Sequence, residues 1–156
     1  MGILWESYGT SAQDSRFMWQ RIFNFLPSLN TYDILSPDLK LRRRVTQGLQ
    51  TRPALSLLDW QAAYGAPNHI DIAIAEFAFT QLPKYSGLDM AQLLPSDRLE
   101  EDLCWTGVCW YDWYLTLCDD IQLQFGVELN PYLEDLEVET LGELLQYLSQ
   151  QITHTA

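Results

Sequence analysis

Residues 106–125, TGVCWYDWYLTLCDDIQLQF, decide the fold of this chain. Apolar side chains recur there at spacings of three and four residues, which predicts one long helix from about Thr106 to Phe125. An apolar face of this width has to be buried on more than one side. We therefore expect other helices to pack around it, with the amino-terminal part of the chain as its cover. Two neighbouring lines form the face: Trp110, Tyr114, Leu117, Ile121 and Gln124, and beside them Val108, Leu115 and Cys118.

Capping signals and helical spacing predict further helices on both sides of this stretch. Ser56-Leu-Leu-Asp59 and Thr140-Leu-Gly-Glu143 are capping boxes, in which two side chains satisfy the free backbone N–H groups of a helix start. Pro83 is expected to end the helix that begins at Ile70. The chain shows neither a convincing strand pattern nor an internal repeat. It is therefore predicted to be all-α, with helices near residues 39–50, 56–64, 70–82, 106–125 and 140–151.

Another helix is predicted near the amino terminus. Ser11-Ala-Gln-Asp14 is also a capping box, and Pro27 ends the helix that it opens. Arg16 and Gln20 line one side of this helix. Its apolar positions lie at helical spacing and are Phe17, Met18, Ile22, Phe25 and Leu26.

Charge is distributed unevenly along the chain, whose net charge is −12. Residues 1–66 carry seven basic and five acidic side chains, whereas residues 67–156 carry two basic and sixteen acidic ones. Such acidity argues against nucleic acid and anionic membranes as partners, and it leaves basic proteins. The change in composition predicts two units, a helical extension over residues 1–66 and a helical bundle over residues 67–156.

Residues suited to catalysis or metal binding are few. Cys104, Cys109 and Cys118 are an odd, clustered set and are expected to be reduced core thiols. His69 and His154 have no metal-ligand spacing to these cysteines, and no Ser-His-Asp or Cys-His set is present. We expect no metal, no cofactor and no catalytic residue. Without a signal-peptide pattern or a run of 18 apolar residues, the expected location is the cytoplasm.

Four motifs in order make residues 70–151 similar to acyl carrier proteins. These are the helix Ile70–Leu82, the loop Pro95–Leu103 that leads to Asp102-Leu103, the helix that ends in Phe125-Gly-Val-Glu-Leu129, and Thr140-Leu-Gly-Glu-Leu-Leu145. The resemblance covers about half of the chain. It implies an acyl-carrier-protein-like helical bundle, on which the amino-terminal helical extension would pack.

The attachment serine of a carrier is missing from this chain. Counted forward from Asp102 it would fall at Gly107, and counted back from Phe125 it would fall at Tyr111. Neither residue has an aliphatic hydroxyl that could take phosphopantetheine. We therefore expect a carrier-like protein that carries no prosthetic group.

The resemblance also points to a surface. In carriers the second helix is the one that basic enzyme partners contact, which implies a docking stripe at Asp112, Asp119 and Asp120. Trp113 is the candidate for an exposed anchor beside that stripe, whereas Trp110 and Tyr114 are expected to face inward. The leading hypothesis is a non-catalytic adaptor that binds a basic protein partner through this acidic helix.

Several alternatives stay open. The acidic residues could form a solvated face without a partner. Trp105, Trp110 and Tyr111 could line a pocket for an apolar small molecule, in a binding protein or an enzyme. The aromatic residues could instead be buried in a homodimer. Finally, the basic run Arg42-Arg43-Arg44 is expected to pair with carboxylates of the acidic second half.

Overall fold

The computed structural model of the protein describes residues 35–155. The predicted helix over residues 11–26 lies outside that range. Residues 35–155 contain helices and no β-strand, which confirms the all-α prediction, and an isolated antiparallel bridge joins Arg98 to Thr140. The likeness to a carrier bundle stays a prediction. Within this described range six α-helices follow one another: α1 Leu39–Leu49, α2 Leu57–Trp60, α3 Ile72–Ser86, α4 Trp105–Val108, α5 Trp113–Phe125 and α6 Leu141–Thr155.

The helix starts confirm the capping signals. The hydroxyl of Ser56 accepts a hydrogen bond from the backbone N–H of Asp59 at 3.2 Å and opens α2. At α6 the exchange is reciprocal, because Thr140 Oγ1 accepts from Glu143 N at 3.1 Å and Glu143 Oε2 accepts from Thr140 N at 3.2 Å. The last helix also runs on to Thr155. Local side-chain chemistry therefore sets where these helices begin.

Helix α3 extends further than the sequence predicts. Pro83 lies inside it, and the helix ends only at Gly87, whose φ of 71° is the left-handed conformation that glycine adopts most easily. Leu82, Tyr85 and Ser86 are buried on either side of the proline. The predicted end at Pro83 is wrong because burial of this last turn outweighs the missing backbone donor of the proline.

The core draws side chains from all six helices. Leu49 of α1, Trp60 of α2, Phe77 of α3 and Leu144 of α6 belong to the same buried cluster. The indole N–H of Trp60, fully buried, donates to the carbonyl oxygen of Leu93 at 2.8 Å. Residues on both sides of the predicted boundary at residue 66 thus share one core. The division into two units stays a prediction.

The start of α6 packs closely on the loop that follows α3. The backbone N–H of Leu141 donates to Asp97 O and that of Gly142 to Pro95 O, each at 2.9 Å. A Cβ atom on Gly142 would lie 2.9 Å from the Pro95 carbonyl oxygen, so only glycine allows this approach. The loop thereby satisfies N–H groups of the first turn that have no partner within the helix.

The predicted single helix over residues 106–125 is broken in two. Helix α4 ends at Val108, Cys109 is extended, and α5 begins at Trp113. Between the two helices the backbone N–H of Trp110 donates to Tyr85 O at 3.2 Å, and that of Tyr111 donates to Leu35 O at 3.3 Å. Hydrogen bonds to distant segments therefore replace those that would have continued the helix.

Candidate functional site

Helix α5 has one buried side and one exposed side. Trp113, Tyr114, Leu117 and Ile121 point into the core and are at most 4% exposed. The opposite side presents two large apolar residues to solvent. We call this side the outer face of α5, and its residues are Leu115, Asp119, Gln122 and Leu123.

The prediction of Trp113 as an exposed anchor is wrong. Trp113 is 4% exposed and packs edge-to-face on Trp105, with ring centroids 5.8 Å apart, and on Tyr114 at 5.6 Å. Trp110, expected inside, is 40% exposed, while Tyr114 faces inward as predicted. Trp113 lies four residues before the buried Leu117 and therefore shares its side of α5, whereas Trp110 lies outside this helix, which begins only at Trp113.

The three aspartates predicted to form a docking stripe lie in different surroundings. Asp119 is exposed on the outer face, and Asp112 is half-buried at the start of the helix, about seven residues or two turns away on the same side. Asp120 lies roughly 100° around the helix from Asp119. Its carboxylate accepts a hydrogen bond from the hydroxyl of Tyr85. The geometry thus groups Asp112 with Asp119 and assigns Asp120 to a contact with α3.

The contact between Tyr85 and Asp120 is structural in character. Burial raises the pKa of the Tyr85 hydroxyl above its ordinary value, and the hydrogen bond to the Asp120 carboxylate raises it further. Tyr85 therefore remains a neutral donor, and it fixes α5 to α3 at the edge of the outer face.

Sequence reasoning missed the two leucines of the outer face. Leu115 is 55% exposed although it was expected in the apolar stripe, and Leu123, which no line included, is 88% exposed. The available signal was the spacing Leu115-Asp119-Leu123. Positions four apart lie in one row along a helix, so the row alternates an apolar, an acidic and an apolar side chain.

Arginines of the first half of the chain hold α1 and its linker on the other helices. Arg42 Nε donates to Val108 O at 2.6 Å and Arg42 Nη2 to Tyr85 O at 3.1 Å, close to the carboxyl ends of α4 and α3. Burial lowers the pKa of the Arg42 guanidinium. Arg52 makes a two-pronged contact with the buried Asp97, with N···O distances of 2.7 and 2.9 Å.

The predicted ion pairs of Arg42, Arg43 and Arg44 are not found among the described residues. Arg42 contacts backbone carbonyl groups instead, which carry partial negative charge at helix ends. Arg43 and Arg44 are exposed and have no salt bridge with a carboxylate of residues 35–155. Among these four arginines and within residues 35–155, Arg52 is the one that pairs with a carboxylate of the second half.

The cysteines are free thiols, two of them partly buried and Cys109 almost completely so. Burial raises the pKa values of Cys109 and Cys118, which keeps both thiols protonated at neutral pH. Within residues 35–155, no three His, Cys, Asp or Glu side chains are grouped so that they could hold a metal ion. Over the same range, no helix has the length and apolar character that crossing a membrane requires.

The aromatic residues of the proposed pocket have unlike surroundings. Trp105 is 1% exposed, and its indole N–H has no hydrogen-bond partner among the described residues. Trp110 and Tyr111 are 40% and 37% exposed. The alternative of an apolar-ligand pocket at these three residues stays a hypothesis.

Comparison with known proteins adds no further assignment. No protein-family model, no curated protein and no solved structure matches this chain. The functional argument therefore depends on the outer face of α5 and on the charge around it.

Proposed function

We propose that this protein is a non-catalytic interaction module that binds a basic, amphipathic segment of a protein partner on the outer face of α5. The observation that carries the proposal is the row Leu115-Asp119-Leu123, in which an exposed carboxylate lies between two leucines that are 55% and 88% exposed. Single exposed leucines are ordinary on protein surfaces. Two exposed leucines in one row, each one turn from the same exposed carboxylate, form a surface that is apolar at both ends and acidic at its centre.

The row fits the side-chain spacing of a partner helix. Its three residues span about 12 Å along the helix axis, since each residue rises about 1.5 Å. Amphipathic helices are recognised through anchors at intervals of three, four and seven residues, and apolar anchors contribute roughly 25 cal/mol for each Å² of apolar surface that they bury. Leu115 and Leu123 would supply the apolar contact, and Asp119 would fix the register through a basic side chain.

Charge favours a basic partner. Residues 67–156 hold sixteen acidic and two basic side chains, so the approaching partner meets a negative field. Such a field accelerates encounter with cations, and salt weakens it. Asp112 extends the acidic side toward the start of α5. Asp120, engaged by Tyr85, contributes to the field and not to direct pairing.

A synthetic helical peptide with alternating rows of leucine and lysine is a defined probe for this proposal. We expect it to bind the full chain with an affinity that falls as salt rises. The combined change Leu115→Ala and Leu123→Ala should weaken binding at least about tenfold, which corresponds to 1.4 kcal/mol. Asp119→Lys should weaken it by a similar factor at low salt. Fluorescence anisotropy of the labelled peptide measures both effects.

Matched controls lie on other helices. Leu58 of α2 is 73% exposed, and Glu76 of α3 is exposed as well, so Leu58→Ala and Glu76→Lys repeat the same chemical changes away from α5. Both should leave peptide affinity unchanged. Equal binding by the wild type and the α5 variants would refute the proposal.

A further inference from the structure

The row on the outer face of α5 has a counterpart in the same chain. Phe17, Arg21 and Phe25 follow one another at intervals of four residues, as Leu115, Asp119 and Leu123 do. We propose that residues 11–26 bind the outer face of α5 within the same molecule and compete there with the partner. This inference rests on the proposed function and deepens it, because it names a regulator of the same face.

The two rows are complementary in size and charge. Each has an apolar side chain at both ends, and the centre is basic in one row and acidic in the other. Rows of residues four apart form the ridges that pack together most often between helices. Arg21 lies between two phenylalanines, so burial of Phe17 and Phe25 against a neighbour would also bury its charge. That burial is costly unless a carboxylate pairs with it, and Asp119 is the exposed carboxylate that lies between two apolar anchors.

The position of Leu35, the first residue that the structure describes, brings the row Phe17-Arg21-Phe25 within reach of the outer face of α5. The carbonyl oxygen of Leu35 accepts a hydrogen bond from the N–H of Tyr111, just before α5 begins. Residues 27–34 connect that point to the predicted helix and could span at most about 29 Å. Helix α5 has 13 residues and is about 20 Å long. Residues 11–26 can therefore reach any part of the outer face.

Attachment to the same chain makes even a weak contact effective. A short covalent connection holds a ligand near its site at an effective concentration that reaches the millimolar range. A partner must displace residues 11–26 first, so its apparent affinity is its affinity for the free face multiplied by the fraction of molecules in which that face is free. Weakening the internal contact should therefore strengthen binding of the external peptide.

Photo-crosslinking within the full chain tests the contact directly. The photoreactive residue p-benzoylphenylalanine replaces Leu123, or replaces Leu58 on α2 as the matched exposed control, in dilute protein. After irradiation, mass spectrometry of the monomer fraction should find position 123 joined to residues 11–26 and position 58 joined to other residues. Crosslinks between two chains, or none to residues 11–26, would overturn the inference and would assign the face to a second copy or to solvent.

Charge exchange tests the proposed pair. Arg21→Glu and Asp119→Lys should each lower the crosslink yield about threefold, the size expected of a partly exposed ion pair. The combined variant should recover the wild-type yield. Arg16→Glu changes the charge of the same segment on another side of the predicted helix, and it should have no effect. A combined variant that stays as low as the single variants would overturn the pairing.

Peptide binding separates the two proposals. Arg21→Glu should bind the leucine-lysine peptide about threefold more tightly than the wild type. The change removes the ion pair between Arg21 and Asp119, which in the wild type holds residues 11–26 on the face that the peptide needs. Internal crosslinks without peptide binding by any variant would contradict the proposed function alone. Peptide binding without internal crosslinks would contradict the present inference alone.

Discussion

The two sides of α5 contain similar apolar residues, but one side is buried and the other is exposed. On the inner side Leu117 is fully buried and the Tyr114 hydroxyl donates to Asn130 O at 2.7 Å. On the outer side Leu115 and Leu123 are largely exposed. The difference shows that apolar content does not decide burial in this helix. The side of the helix on which a residue lies decides it.

Truncating one leucine on each side gives the largest expected contrast. Leu117→Ala should lower the free energy of unfolding by about 2–5 kcal/mol, because it leaves a cavity in the core. Leu123→Ala should lower it by less than about 1 kcal/mol, because this side chain lies at the surface. Urea unfolding followed by tryptophan fluorescence measures both values. Similar losses in the two variants would contradict the division into an inner and an outer side.

Two adjacent arginines extend the comparison to α1. Arg42→Ala should lower the free energy of unfolding by about 2–3 kcal/mol, because it removes charged hydrogen bonds to Val108 O and Tyr85 O from a partly exposed site. Arg43→Ala removes the same charge from an exposed position, and it should change stability by less than about 0.5 kcal/mol. Urea unfolding measures the free energy of unfolding of both variants. Equal losses would show that the hydrogen bonds of Arg42 do not contribute and that only the charge of α1 matters.

A smaller, pH-dependent effect on stability should come from Cys109, which is buried although its neighbour Trp110 is exposed. Burial raises the pKa of the Cys109 thiol above its ordinary value of 9.0, so the fold keeps a proton that the unfolded chain loses. This contribution to stability is complete below pH 9 and is lost as pH rises further. Above pH 9 the loss approaches about 1.4 kcal/mol per pH unit for one such group.

The change Cys109→Ala removes this contribution, so the variant should lose less stability between pH 9 and pH 10 than the wild type does. Cys118, whose pKa burial also raises, adds its own loss in both proteins. The raised pKa values of Tyr85 and Tyr114 matter only above their ordinary value of 10.0. Chemical unfolding at a series of pH values measures the slope. Parallel curves for variant and wild type would show that the buried thiol does not contribute.

Helix starts and the fold class could be predicted because their causes are local. Ser56 and Thr140 satisfy backbone donors within three residues of themselves, so sequence spacing contains the whole interaction. The break before α5 could not be predicted in this way. It depends on bonds from Trp110 and Tyr111 to Tyr85 and Leu35, which are distant in sequence.

The candidate site was predicted in part. Asp119 lies exposed on α5, as a charged residue off the apolar stripe should. Trp113 was placed outside because its position was taken relative to Trp110, although it lies four residues before Leu117 on the same buried side. Leu115 was placed inside because it is apolar. Within α5 the spacing of four and of two residues to Leu117 gives the observed side of Trp113 and of Leu115, so only the exposure of Trp110 depends on the break before the helix.

The two hydrogen bonds of Arg42 also bear on how the chain folds during synthesis. Arg42 leaves the ribosome 43 residues before Tyr85 and 66 residues before Val108. At about 5–20 residues per second, Val108 follows only after roughly 3–13 s. During that time the nascent α1 has Leu41, Val45 and Leu49 without the surface on which they pack in the finished protein. Helix α1 therefore has to wait for its binding surface, and this is the interval in which a chaperone for exposed apolar segments would act.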